Sequence, residues 1–251
     1  MMTASSSRLS QAQNKIGEQV GDQRSASGSA GIADWLRDRS LTLVMLGLFA
    51  IFLVGQVLTG WYQFNEAQTE HGLPAISLSA YFAVGHFWEA LFENWESEFL
   101  QMAAFVTFTT FLYQKGSPES RRPGVVELVD ADPRSFADQP DVPWPVRRGG
   151  WILALYQHSL GLALFGLFAL SWAGHVFGGW AEYRSDQELH GQPVAGVIDY
   201  VTRSRFWFES FQNWQSEFLS VAAMVWLAVY LRQRGSPESK PVHAPHAETG
   251  R

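Results

Sequence analysis

Residues 41–65 contain no charged side chain, and neither do residues 149–181. About 20 apolar residues cross the hydrocarbon core of a bilayer, so each run is long enough for a span. The first predicts a helix over about 40–62 that ends in Trp61-Tyr62, and the later run one over about 151–180 that ends in Trp180. Both residue types favour the membrane interface. Each span is followed by a second helical pattern. In the first, Trp88, Phe92, Trp95, Phe99, Met102 and Val106 share one face at 3.6 spacing. This predicts a long helix that starts near Tyr81, lies amphipathic in the interface, and becomes spanning near Trp95. A matching pattern starts near Phe206. The predicted fold class is all-α and integral membrane, with four transmembrane helices.

The pattern repeats at a constant offset of 119 residues. Phe87-Trp88 returns as Phe206-Trp207, and Asn94-Trp95-x-Ser97-Glu98-Phe99-Leu100 as Asn213-Trp214-x-Ser216-Glu217-Phe218-Leu219. Gly116-Ser117-Pro118-Glu119-Ser120 returns as Gly235-Ser236-Pro237-Glu238-Ser239, and His71-Gly72-x-Pro74 as His190-Gly191-x-Pro193. Self-similarity on this scale organises a fold. Two spans per copy make the copies parallel, so the expected architecture is two tandem parallel-repeat helical hairpins with their axis along the membrane normal.

Punctuation sets the boundaries. Gly116 and Gly235 can adopt the left-handed conformation that ends a helix, and Pro118 and Pro237 forbid continuation, so both boxes read as helix stops. Six of the eleven prolines fall in residues 116–148, which reads as an extended linker. The expected organisation is a disordered tail (1–34), a two-helix repeat (35–118), a Pro-rich linker (119–148), a second repeat (149–237) and a disordered tail (238–251). Lys and Arg lie before the first span, through the linker and after the last helix, whereas residues 63–94 have neither. By the positive-inside rule both termini and the linker are cytoplasmic and the hairpin loops face outward. The first 33 residues lack an apolar core of the signal-peptide kind, so the first span is expected to act as an uncleaved anchor.

Composition narrows the function. There is no cysteine, which excludes disulfides, thiolate metal sites and a cysteine nucleophile. A formal net charge of −6 without a basic stripe argues against nucleic acid as a partner. No phosphate loop, nucleophile elbow or metalloprotease motif occurs. No cofactor is expected, and the reading leans away from an enzyme.

The polar positions of the second helices carry the candidate chemistry. Glu89, Glu93 and Glu96 become Phe208, Gln212 and Gln215 in the second copy, whereas Asn94, Ser97 and Glu98 persist as Asn213, Ser216 and Glu217. The persistent face is expected to point into the bundle and the divergent face toward water, because a carboxylate near the membrane needs protein, water or a partner around it. Asn94, Ser97, Glu98, Asn213, Ser216 and Glu217 are therefore the candidate functional face. It either fixes helix packing or pairs Glu98 with Glu217 at the outer mouth. His71 and His190 read first as turn residues and second as weak metal candidates, together with Glu98 and Glu217. His158 and His175 share one helix and have no counterpart in the first copy, which argues against a haem. Gly47, Gly55, Gly166 and Gly174 recur at equivalent places and are expected to bring helices close.

The block from Gly85-His86-Phe87 through Asn94-Trp95-Glu96-Ser97-Glu98-Phe99-Leu100, with Gln114-Lys115-Gly116-Ser117-x-Glu119-Ser120, resembles a bacterial family of small multi-pass membrane proteins of unknown function. Leu58-Thr59-Gly60-Trp61 and His71-Gly72 share that resemblance. It implies a bacterial membrane protein with four spans and supplies no catalytic residue. In the second copy Arg205, Phe208 and Gln212 replace His86, Glu89 and Glu93, so no role of those positions can be symmetric. The expected setting is the inner (plasma) membrane, with the lipid bilayer and a homo-oligomer or another membrane protein as partners. The leading expectation is a non-enzymatic scaffold or binding module. The alternative is a small cation- or proton-coupled transporter or channel using Glu98 and Glu217.

Overall fold

The computed structural model describes residues 31–122 and 124–250, so the expected N-terminal tail falls almost wholly outside the described residues. Among them the regular elements are all helices, with no strand. They are α1 (Ile32–Asp38), α2 (Ser40–Glu70), α3 (Leu78–Tyr81), α4 (Gly85–Phe108), α5 (Trp144–Arg148), α6 (Gly150–Gln157), α7 (Ser159–Leu189), α8 (Val197–Val201) and α9 (Ser204–Tyr230). Two 3-10 turns, Leu128–Asp130 and Pro133–Phe136, and α5 lie within the segment expected to be an extended linker. Element bounds recur at the sequence offset: α7 begins at 159 against 40 for α2 and ends at 189 against 70, and α9 begins at 204 against 85 for α4.

The chain divides into two compact units at Gly60/Trp61. In the first unit, neither α1 nor the α2 residues there bury a side chain. Leu41, Ile51 and Phe52 are each about two-thirds exposed or more. A core helix of a water-soluble protein would hide such a surface. α2 and α7 are the two described helices long and apolar enough to cross a membrane. α4 and α9, at 24 and 27 residues, have the length but carry carboxylates.

In the second unit α4 runs closely along α7, while α9 packs on α4 and α8 packs on α7. Glycine makes the α4–α7 approach possible. A Cβ on Gly85 would strike the backbone of Glu182 and Gly178, and one on Gly178 would strike the backbone of Glu89. Gly174 is covered by the ring of Phe92. Of the four glycines expected at packing contacts only Gly174 is at one; Gly47, Gly55 and Gly166 face open space. The close approach uses Gly85 and Gly178 instead, because that is where the two helices cross.

The segments that return after the long helices are pinned alike in both copies. Trp61 Nε1 donates to the Ile76 carbonyl at 2.8 Å, and Trp180 Nε1 to the Ala195 carbonyl at 2.9 Å. Gly72 and Gly191 turn the chain at positive φ, the backbone that glycine adopts without strain.

Two expectations need correction. The Gly-Ser-Pro-Glu-Ser boxes do not stop the helices, since α4 already ends at Phe108 and α9 at Tyr230. At the first end the Thr109 and Thr110 hydroxyls donate back to the Val106 and Thr107 carbonyls and compete for the acceptors that would continue the helix. Each box is instead a self-contained turn: Gln114 N donates to Ser120 Oγ and Glu119 N to Ser117 Oγ, and Gln233 and Glu238 do the same to Ser239 and Ser236. The C-terminal segment is also organised, despite its polar composition. The buried Lys240 ammonium donates to the Pro245, His246 and Glu248 carbonyls at 3.0–3.2 Å. Gly250 N reaches the Ser117 carbonyl, and Thr249 Oγ1 accepts from Gly116 N. Backbone hydrogen bonds to the first box thus supply what apolar side chains do not.

Candidate functional site

The polar centre of the second unit is built from the face of α4 that sequence comparison assigned to water. Positions 89, 93 and 96 fall on one helical face. Glu89 and Glu96 are buried, Glu96 completely, and Glu93 is partly buried. Each meets a different partner. The Arg205 guanidinium lies 3.2 Å from Glu89 Oε1. Asn213 Nδ2 donates to Glu93 Oε1. Glu96 Oε2 lies 3.0 Å from His175 Nδ1, and Glu96 Oε1 accepts from Trp214 Nε1 at 3.1 Å.

His175 is the hub. It is fully buried on α7, packs on Phe206 with ring centroids 4.8 Å apart, and stands between Glu96 of α4 and Glu209 of α9. Its Nε2 lies 3.6 Å from Glu209 Oε2 and makes no hydrogen bond among the described residues. Glu209 is otherwise satisfied: Arg205 Nε donates to Oε1 at 2.9 Å and the Tyr200 hydroxyl to Oε2 at 3.3 Å. Burial first, then the Glu89 and Glu209 carboxylates, push the Tyr200 hydroxyl above its ordinary value, so it serves as a neutral donor. Ser210 is also fully buried, and its hydroxyl has no partner among the described residues.

The chemistry follows from two features. An imidazole that donates through Nδ1 to Glu96 presents at Nε2 either a lone pair or a proton. A lone pair would face a carboxylate oxygen at 3.6 Å, so a proton on either side of this gap relieves the repulsion. Around it, four carboxylates (Glu89, Glu93, Glu96 and Glu209) face one guanidinium and one imidazole. Even with the imidazole charged the acids outnumber the bases by two, which is costly away from water unless protons or a cation make up the difference.

Of the residues that the sequence singled out, Ser97 is buried, Asn213 and Glu217 are partly buried, and Asn94, Glu98 and Ser216 are exposed. The expectation of an inward-facing Asn94–Glu98 face is reversed: Asn94 Nδ2 folds back on the Ala90 carbonyl of its own helix, while Glu89 and Glu96 point inward. Ser97 and Ser216 likewise bond their own helices, through the Asn94 and Asn213 carbonyls. Glu98 and Glu217 lie near enough to repel one another. His71 and His190 come together, with ring centroids 6.1 Å apart. No group of three or more metal-binding side chains forms among the described residues, so Glu98 and Glu217 do not join the two histidines.

The physical reason for the reversal lies in the packing. The carboxylates of α4 do not face their own equivalents, since Phe208, Gln212 and Gln215 are exposed; each meets a complementary group at another position of the second copy. Glu89 accordingly meets Arg205, whose counterpart is His86. His175, set in an uncharged run, was the available signal, since an ionisable group there marks function by default. Its lack of a counterpart hid it.

A second polar contact sits above the first. His86 N donates to Glu182 Oε2 at 3.0 Å, and the Tyr81 hydroxyl lies 2.8 Å from His86 Nδ1. Burial, with Glu182 adding to it, pushes the Tyr81 hydroxyl up to about 12. No curated protein and no solved structure matches the chain. Residues 32–251 match the model of a family described as a domain of unknown function (DUF6766), and the chain belongs to that family.

Proposed function

We propose that the protein is a four-span membrane protein of the bacterial inner membrane that binds and transfers protons through Glu96, His175 and Glu209, as a small proton-coupled transporter or channel. The observation that carries this reading is the fully buried His175, held at Nδ1 by Glu96 and facing Glu209 across a gap that a proton would fill. The acid excess around it supports the same conclusion.

The four spans rest on length. α4 and α9 extend about 36 and 40 Å at 1.5 Å per residue, enough for a bilayer core of about 30 Å. Glu89, Glu93, Glu96 and Glu209 turn toward protein, while Glu98 is exposed. Sixteen residues separate Ser159 from His175, or about 24 Å along the axis, which sets the relay in the outer part of the bundle. The two hairpins are parallel, with both termini and residues 119–148 on the cytoplasmic side, as the Lys and Arg distribution supports. The scaffold reading keeps one observation in its favour: the α2 residues of the first unit bury no side chain within the chain and suit a partner helix as well as lipid.

The test is proton flux in vesicles that contain the purified protein and carry a pH gradient. Wild-type protein is expected to dissipate the gradient, and His175→Gln, which keeps a polar side chain of similar size, to lose most of that flux while remaining folded. Equal flux from the two would refute the relay. A wild type that moves no protons, with His175→Gln impaired only in assembly, would favour the scaffold.

A further inference from the structure

We propose that His71 and His190 form a two-imidazole site for a borderline divalent cation such as Cu²⁺, Ni²⁺ or Zn²⁺, at the outer ends of α2 and α7.

The two residues are equivalent across the repeat, and the fold brings their rings edge to face with centroids 6.1 Å apart. Both are oriented alike. His71 Nδ1 lies 2.7 Å from the Ala67 carbonyl and His190 Nδ1 lies 2.8 Å from the Asp186 carbonyl. A carbonyl accepts only, so each Nδ1 carries a proton, and in the neutral ring each Nε2 is then a bare acceptor. Metal-binding imidazoles are held this way, with the distal nitrogen tied to a carbonyl or carboxylate that fixes the tautomer. Asp186 adds the carboxylate version, its Oδ1 lying 3.3 Å from His190 Nδ1.

The spacing suits a shared ion. A metal–nitrogen bond of about 2.0–2.1 Å puts each ring centroid roughly 3.2 Å from the ion, so two centroids separate by roughly 5.2 Å in a tetrahedral site and roughly 6.4 Å in a linear one. The observed 6.1 Å falls between. Imidazole pairs with water completing the sphere suit copper, nickel and zinc rather than magnesium or calcium. Water has access, because the His190 side chain is half exposed and His71 borders an open cavity of about 690 Å³. That cavity is also lined by His86, Glu182, Asp186 and Glu188, an acidic surround that attracts cations. The site stands apart from the His175 relay and does not depend on it.

The test uses full-length protein in detergent, stripped with a chelator and titrated with Cu²⁺, Ni²⁺ and Zn²⁺ by calorimetry. Single His71→Ala and His190→Ala variants are each expected to weaken the tightest site by about tenfold or more, comparable to the loss on removing even an outer-sphere partner. His243→Ala should leave it unchanged. The electron paramagnetic resonance spectrum of wild type with one equivalent of Cu²⁺ should show coupling to two imidazole nitrogens, a readout that needs no variant. The proposal is overturned if either single variant binds as wild type does, if His243→Ala removes the tightest site, or if the copper spectrum lacks two-nitrogen coupling.

Discussion

Replacing Glu96 should damage the protein far more than replacing Glu98, two positions along the same helix. Glu96 is fully buried, with one oxygen 3.0 Å from His175 Nδ1 and the other accepting from Trp214 Nε1 at 3.1 Å. In Glu96→Ala both donors lose their acceptor at once. Stranding a buried hydrogen-bonding group costs about 1–3 kcal/mol, and removing one partner of a buried ion pair about 3–5 kcal/mol. A loss of about 3–5 kcal/mol is expected, or a melting temperature lower by about 6–20 °C at 2–4 °C per kcal/mol. Glu96→Gln keeps an acceptor for one donor but places an amide in the ion-pair position, so about 1–3 kcal/mol is expected. Glu98 is exposed, and surface substitutions usually stay within about 0.5 kcal/mol. Thermal unfolding of the purified variants in one detergent, followed by intrinsic tryptophan fluorescence, ranks them. If Glu98→Ala melts as low as Glu96→Ala, the inward assignment of the Glu89–Glu93–Glu96 face is wrong.

Three further outcomes follow from the packing. Gly178→Ala, which drives a Cβ against the Glu89 backbone, should destabilise by about 1–3 kcal/mol, whereas Gly55→Ala, in open space, should be neutral or slightly stabilising in the same melts. Lys240→Ala leaves three carbonyls without their shared donor and should free the C-terminal segment; limited proteolysis should then cleave within 240–250 markedly faster than in wild type, and equal rates would contradict the tail's docking. Reporter fusions at Asp130 and after Ser239 should read cytoplasmic and one at His71 external; a cytoplasmic reading at His71 would invert the topology.

The helices were legible because their cause is local. A long uncharged apolar run favours a helix whatever surrounds it, and α2 covers the first run but continues to Glu70, whereas the second run is divided at His158 between α6 and α7, and α7 continues to Leu189. The long helix beginning near Tyr81 and Phe206 was legible from its aromatic stripe, and α4 and α9 start within a few residues of those points. What failed depends on partners outside the local sequence. Polar composition at 240–250 reads as disorder until the chain supplies carbonyls for Lys240 and a first box for Thr249. Small residues at Gly47, Gly55 and Gly166 read as packing points, but whether a glycine serves depends on where two helices cross, and Gly85 and Gly178 mark that crossing.

The burial of the polar positions on α4 was misjudged because two copies were compared with each other. Comparing two copies rewards positions that stay alike, and so points to Asn94, Ser97 and Glu98. Likeness is cheap where a side chain bonds its own helix: Asn94 donates to Ala90, and Ser97 and Ser216 each bond a carbonyl three residues back. Such a contact survives in both copies because it needs nothing from the other. A charge buried between copies has the opposite requirement. A buried carboxylate such as Glu89 or Glu96 needs a basic or hydrogen-bonding partner from the other copy. Arg205 where the first copy has His86 and His175 where it has Gln56 supply two of those partners, while Gln212 and Gln215, where it has Glu93 and Glu96, are exposed. Among the positions that differ, Glu89 and Glu96 are buried and Gln212 and Gln215 exposed; among those that agree, Ser97 is buried and Asn94, Glu98 and Ser216 exposed, so burial follows the partner a side chain meets rather than its likeness to its counterpart. His71 and His190 agree between the copies and meet each other. Their rings face one another across the repeat, and a metal ion between them would favour their likeness.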